Sequence, residues 1–166
     1  MNGKSQKVYI GVGGTGNDLL NQLITTGEVK CGLFAVDTDA QALMKSLSPK
    51  RVQIGEKETR GLGTNGDAEL GRRAAEDARE KLAAILKNRG GVYILASLRG
   101  GTGLGATPVL CSLAKMAKRH TTLFLLIRES IPDEDEKNIL EKWRTLADEL
   151  QIWHKDEQNR FVVMGG

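Results

Sequence analysis

Short apolar runs alternate along this chain with longer stretches of helical period, and that alternation is what most restricts its fold. The runs are Lys7 to Val12, Cys31 to Val36, Arg51 to Ile54, Gly91 to Leu98, Thr122 to Ile127 and Arg160 to Met164. Most are almost continuously apolar, without in/out alternation, which predicts strands covered on both faces and hence a parallel sheet. Helical patterns are predicted between them at Asn17 to Thr26, Asp67 to Lys87, Leu104 to Arg119 and Asp135 to Trp153. In the last, Ile139, Trp143, Leu146, Ala147 and Leu150 form one apolar stripe. Asp133, with Glu136 three residues on and Pro132 before it, reads as a capping box. In the long middle helix, Asp77 and Lys81 make an i,i+4 pair on a solvated charged face. The expectation is an α/β, doubly wound, mostly parallel sheet of about six strands, a single domain over residues 1–166. Ligands of such a fold sit at the carboxyl ends of the strands.

Composition narrows the function classes. The 166 residues carry a net charge of +3 with no dense basic block, which argues against nucleic-acid binding. Cys31 and Cys111 lie 80 residues apart in a predicted strand and helix and read as free core thiols of a reducing compartment. No apolar run reaches a membrane span of roughly 18 residues, and Met1 to Lys7 lacks a signal-peptide core. A cytoplasmic protein without direct membrane insertion is expected. His120 and His154 stand apart from any ligand spacing, so zinc is disfavoured. Ser97 and Ser130 lack a hydrolase elbow.

The 20 glycines arrive in clusters, and two clusters follow predicted strands and open helices. Gly11-Val12-Gly13-Gly14-Thr15-Gly16 fits G-x-G-x-x-G, where glycines let the backbone approach an anion and the helix start favours negative charge. Asp37, 21 residues past Gly16, stands where a dinucleotide-binding fold puts its ribose-binding acid. The second cluster is Arg99-Gly100-Gly101-Thr102-Gly103-Leu104-Gly105. Two such turns at neighbouring strand ends suit a longer phosphate chain better than one pyrophosphate. A Walker loop is disfavoured, since Ala106 stands where it needs Lys. The segment Gly55 to Gly66, GEKETRGLGTNG, has no clear period and is long for a passive loop.

These residues resemble the FtsZ/tubulin family. The resemblance is carried by GVGGTGN at Gly11 to Asn17, VDTDAQAL at Val36 to Leu43, the stretch Ile54 to Glu80, and GGTGLGATPVL at Gly100 to Leu110, which is similar to the family's GGGTGTG loop. It covers roughly residues 7 to 130. It implies GTP or GDP held by Gly13, Gly14, Thr15, Gly16 and Asn17 and by Gly100, Gly101, Thr102 and Gly103. It also implies that Thr64, Asn65 and Gly66 sense the terminal phosphate and that Asp39 lies near the phosphates and a Mg²⁺ ion. Asp133 and Lys137 fall where the family has a Glu and an Arg around the ribose, although Asp133 reads equally well as a plain helix cap. The implied partner is the chain itself or another FtsZ-like subunit, met through the nucleotide face.

Several residues depart from the family pattern. Asp18 replaces an Asn and sets a carboxylate near the nucleotide unless it turns away or binds a cation. Asp37 replaces the Asn of the family's NTD triplet. Leu104 replaces the second Thr of the signature, and Arg99 its first Gly. Arg99 reads either as an added cation for the phosphates or as an exposed loop residue. The sequence ends at Phe161 to Gly166, the family's sixth strand, so the central helix that reads guanine, the acidic loop completing the neighbour's active site and the second domain are expected to be missing. Two alternatives stay open: a degenerate interaction or filament-capping module without turnover, and an NAD-type domain built on Gly11 to Gly16 and Asp37.

Overall fold

The computed structural model describes residues 6–30, 32–87, 89–129 and 131–164. Seven strands form one sheet: β1 (Val8–Val12), β2 (Leu33–Asp37), β3 (Lys50–Gln53), β4 (Val92–Ser97), β5 (Thr121–Leu126), β6 (Glu149–Lys155) and β7 (Phe161–Val163). Their spatial order is β3-β2-β1-β4-β5-β6-β7. All neighbours are parallel except β6 and β7. The helices are α1 (Gly13–Thr25), α2 (Ala40–Met44), α3 (Glu56–Thr59), α4 (Ala68–Asp77), α5 (Arg79–Leu86), α6 (Gly101–Met116) and α7 (Glu134–Trp143). The doubly wound sheet is the expected one, and its order reverses between β1 and β4, where α1 and α6 begin.

The period-2 geometry of each strand divides its apolar residues between two layers. Val8, Ile10, Ile94, Leu123 and Leu125 join the larger core under α4 to α7, with Leu82, Leu110, Leu140 and Trp143. Leu95, Phe124, Leu126 and Trp153 turn to the other face, where they meet Leu19, Leu20 and Leu23 of α1. A row of rings crosses that second face: Tyr9 stacks on Tyr93 at 4.6 Å, Phe124 meets Tyr93 edge-on at 5.6 Å, and Trp153 follows Phe124 at 5.1 Å. Cys111 is a buried free thiol on α6, its pKa pushed up to about 12 by desolvation. Cys31 and Ser130 lie outside the described residues.

The structure corrects four sequence expectations. The helix expected over Asp135 to Trp153 ends at Trp143, and Glu149–Lys155 is β6. The apolar stripe is real, because Ile139, Trp143, Leu146, Ala147 and Leu150 all pack on the larger core. It belongs to a helix, a turn and a strand in succession, since Glu149–Lys155 also satisfies period 2 and finds hydrogen-bonding partners on β5. Phe161–Val163 is therefore a seventh, antiparallel strand. The middle helix breaks at Ala78 (φ −101°), so Lys81 reaches Glu56 Oε1 at 3.1 Å instead of pairing with Asp77. Both glycine clusters are already the first turns of α1 and α6, which begin at Gly13 and Gly101.

Missing side chains let these helices come unusually close to their neighbours. A Cβ on Gly16 would overlap the Leu95 carbonyl oxygen of β4, and one on Gly105 would overlap Ala68 O and Arg72 N of α4. Gly71 likewise lies against Gly101 O. The Gly105→Ala substitution must push α4 off α6 and should destabilise the fold by ~3 kcal/mol. Gly14 has nothing within 4 Å of a Cβ and a φ outside the left-handed region. Gly14→Ala should leave Tm unchanged or raise it, because Ala is the better helix former by ~1 kcal/mol. Thermal unfolding of the two variants checks both outcomes.

Candidate functional site

At the carboxyl ends of β1, β2 and β4 lies a cleft of about 410 Å³, within the ~300–1,000 Å³ range of ligand pockets. Its floor is the meeting of two helix starts. Gly13, in the left-handed region at φ +77°, lies so close to α6 that a Cβ there would stand 3.2 Å from Gly103 N. Capping and first-turn charge together separate these two helices from the rest, since α3 and α5 also lack a side-chain cap but carry Glu56, Glu58 and Glu80 in their first turns. Asp39, Asp67 and Asp133 accept backbone N–H groups at the starts of α2, α4 and α7, whereas α1 and α6 have no side-chain cap and no acid in the first turn. Their first N–H groups and the positive ends of their dipoles are left for a ligand.

The wall is made by the segment 55–66, which is ordered rather than loose. It holds α3 and folds back on α2: Leu62 bridges Asp39, and Gly61 O accepts the Ala40 N–H at 3.0 Å. Thr64 is buried against Gly101, while Asn65 (φ 51°) and Gly66 (φ 83°) take left-handed conformations. The floor and the second strand are tied together by Thr38 and Thr102, whose buried hydroxyls hydrogen-bond at 2.8 Å. That link could not be read from the sequence, since it joins two residues 64 positions apart.

Of the residues implied by resemblance, Gly13, Gly14, Thr15, Asp39, Thr64, Asn65, Gly66, Gly100, Gly101, Thr102 and Gly103 line this cleft. Gly16, Asn17, Asp18, Asp133 and Lys137 do not. Gly16 serves the contact of α1 with β4. Asn17 is buried and donates Nδ2 to Val36 O at 3.0 Å, fastening α1 to β2. Asp18 stands on the exposed side of α1, its carboxyl raised by partial desolvation, an effect that the Lys155 ammonium opposes. Asp133 caps α7 in a complete capping box, and Lys137 lies 3.6 Å from Glu134 on the surface. Sequence reasoning missed Leu62, Gly63 and Ala42, which line the cleft only because the 55–66 segment folds onto α2. A hollow of about 490 Å³ between β3 and α5 is larger, but the one helix start on it, that of α3, carries Glu56 and Glu58 in its first turn, so it offers no open anion site.

Two acids face the cleft. Asp37 Oδ1 accepts the N–H groups of Thr38 (2.8 Å) and Asp39 (3.2 Å), and Asp39 Oδ1 accepts those of Gln41 and Ala42. Among the described residues, Oδ2 of each makes no hydrogen bond, so each carboxylate keeps an oxygen that could ligate a cation such as Mg²⁺, which takes one or two carboxylates. Burial raises the Asp37 carboxyl above its ordinary range, against the two N–H bonds and with a further push from the charges of Asp39 and Asp18.

Residues 6–150 match the model of the Tubulin/FtsZ family, GTPase domain. The chain belongs to that family. Among solved structures, the empty FtsZ dimer of M. jannaschii is similar over 91% of this chain at 29% identity and a TM-score of 0.81. CetZ2 of Haloferax volcanii, a GTPγS-bound protofilament, matches over 90% at 24% identity and 0.75. TubZ of Clostridium botulinum phage c-st matches over 91% at 17% identity and 0.67, a likeness of fold. This Tubulin/FtsZ domain spans 45%, 49% and 52% of those three chains, about half their length.

Because the folded-state pKa of Asp37 is raised, its protonation favours the folded state; that contribution is complete below the ordinary carboxylate pKa and is lost as pH rises through the raised value. Asp37→Asn keeps the acceptor oxygen and removes the buried charge. It should raise Tm at pH 7, with each kcal/mol gained read as ~2–4 °C, and the gain should vanish toward pH 3. A difference that stays constant across this range would contradict the assignment.

Proposed function

We propose that this chain is a GTP- and GDP-binding domain of a cytoplasmic, cytoskeletal FtsZ/tubulin-type GTPase, with the nucleotide phosphates in the cleft between α1 and α6. The observation that carries the reading is the pair of uncapped helix starts converging on one cleft. Gly14 supports it, because nothing in the protein occupies the space beside it and helix propensity alone would favour a side chain there. The bare backbone at Gly14 is open to the close approach of an anion. In this reading Gly13, Gly14 and Thr15 and then Gly100 to Gly103 offer N–H groups to the phosphates. Thr64, Asn65 and Gly66 face the terminal one, and Asp37 and Asp39 accompany Mg²⁺. Leu62, 82% exposed at the cleft's edge, offers an apolar contact to a second subunit. Residues 1–166 act as one nucleotide-binding unit, and hydrolysis depends on the adjoining subunit. A dinucleotide reading is weakened by the second uncapped helix start, that of α6, because one pyrophosphate needs only one.

Titration calorimetry should show saturable binding of GDP and no comparable response to NAD. Gly14→Ala should weaken GDP binding by about 10-fold while Tm holds, since a methyl group would stand where backbone meets phosphate. Binding of NAD alone would overturn the reading.

Phosphoryl transfer needs a positioned water as well as a cradle. Phosphate release by the chain alone should run about 100-fold or more below an FtsZ control and should rise when a hydrolysis-dead FtsZ that keeps its acidic loop is added. Full turnover by the chain alone would place the catalytic group within residues 1–166. No rise with the partner would favour the degenerate, non-hydrolysing alternative.

A further inference from the structure

The cleft described above holds two carboxylates, Asp37 and Asp39, and among the described residues one cationic side chain, Arg99. Arg99 belongs to the loop between β4 and α6, and its guanidinium is turned toward α7. Nη2 pairs with Asp133 Oδ2, and Nε stands 3.7 Å from Glu136 Oε2. Both acids are members of the α7 capping box, but they are not equally dependent on Arg99. The Glu136 side chain is 2% exposed and accepts the Arg128 N–H at 3.0 Å and the Asp133 N–H at 3.1 Å, so the backbone already satisfies it. Asp133 uses Oδ1 to accept the Glu136 N–H at 2.8 Å, and among the described residues Oδ2 has only Arg99.

The Arg99–Asp133 pair is thus the exchangeable contact. Both side chains are close to half exposed, at 41% and 45%, and an ion pair in that setting is weak. A guanidinium facing a phosphate chain instead forms short, charge-assisted and bidentate bonds. The Arg99 backbone is held independently, its N–H donating to Ser97 Oγ at 3.0 Å, so the side chain can change partners without moving the loop.

We propose that Arg99 is a phosphate-binding residue held in reserve by Asp133. An anion in the cleft draws the guanidinium away from Asp133, and occupancy of the cleft is thereby coupled to the N-terminus of α7. Asp133 is a competitor for Arg99 and not a ligand of the sugar. The inference rests on the nucleotide reading given above.

Calorimetric titration with GDP of the wild-type chain, Arg99→Gln, Asp133→Asn and the double variant tests it, with thermal unfolding run on each. Arg99→Gln should weaken GDP binding about 10-fold. Asp133→Asn, which keeps an N-cap of equal quality, should tighten it about 3-fold by releasing Arg99. The double variant should bind like Arg99→Gln alone, because the effect of Asp133 passes through Arg99. Unchanged affinity in both single variants, with only Tm altered, would make the cluster purely structural and overturn the proposal. So would weaker binding by Asp133→Asn in both backgrounds, which would put Asp133 on the sugar. If Arg99→Gln does not fold, Arg99→Lys replaces it, with an affinity expected between wild type and a charge-free side chain. A wild-type chain that ignores GDP refutes the nucleotide reading itself. Inorganic tripolyphosphate titrated into the same four proteins then decides the role of Arg99: binding sensitive to Arg99→Gln supports it, and absence of such binding overturns it.

Discussion

The crossing of α1 over α6 at the reversal of strand order is the contact on which the rest of this domain depends. Gly13 lies against Gly103 there, Gly16 against the Leu95 carbonyl, and Gly71 and Gly105 let α4 close on α6 from the far side. The approaches at Gly16, Gly71 and Gly105 are too close for a Cβ and that at Gly13 is tight, so the glycine clusters serve first as a packing device. They bring backbone to backbone at the one place in a doubly wound sheet where two helix starts can converge. The anion-binding character follows from that geometry, because the N–H groups of two uncapped first turns end up around the same space.

A cleft built from backbone needs its walls fixed by other means, and here short polar side chains do that work. Asp39 caps α2 and is bridged by Leu62, Asp67 caps α4, and Thr38 binds Thr102 across the floor. The same acids that end helices elsewhere are absent from α1 and α6. A capping Asp at either helix would satisfy the free N–H groups and fill the cleft with negative charge. Asp37 is the exception: a buried acid in the floor whose ionised form costs stability, offset in part by two backbone N–H bonds.

The alternation of apolar runs and helical segments settled the fold class, and the two glycine clusters with the TRGLG segment marked the cleft and the family. Those features are local: a strand buried on both faces must be apolar throughout, and a backbone anion site must be rich in glycine. Eleven of the residues implied by resemblance line one cleft for this reason. Gly16 and Asn17 belong to the same motif but lie on the side of α1 that faces the sheet, against Leu95 O of β4 and Val36 O of β2.

What tertiary structure alone decided is everything that depends on partners distant in sequence. Residues 144–155 satisfy helical and strand periods alike, and only the free edge of β5 makes Glu149–Lys155 a strand. The pairing of Arg99 with Asp133 and Glu136 joins a loop to the start of α7 more than thirty residues on, so no spacing rule announces it. Whether Asp18 faces the ligand or turns away depends on the rotation of α1, which is set by glycines packing on β4. The sequence determined which backbone segments can hold an anion, through residue types that act locally. The packed structure determined which side chains share that space, through the orientation of whole elements around a common core.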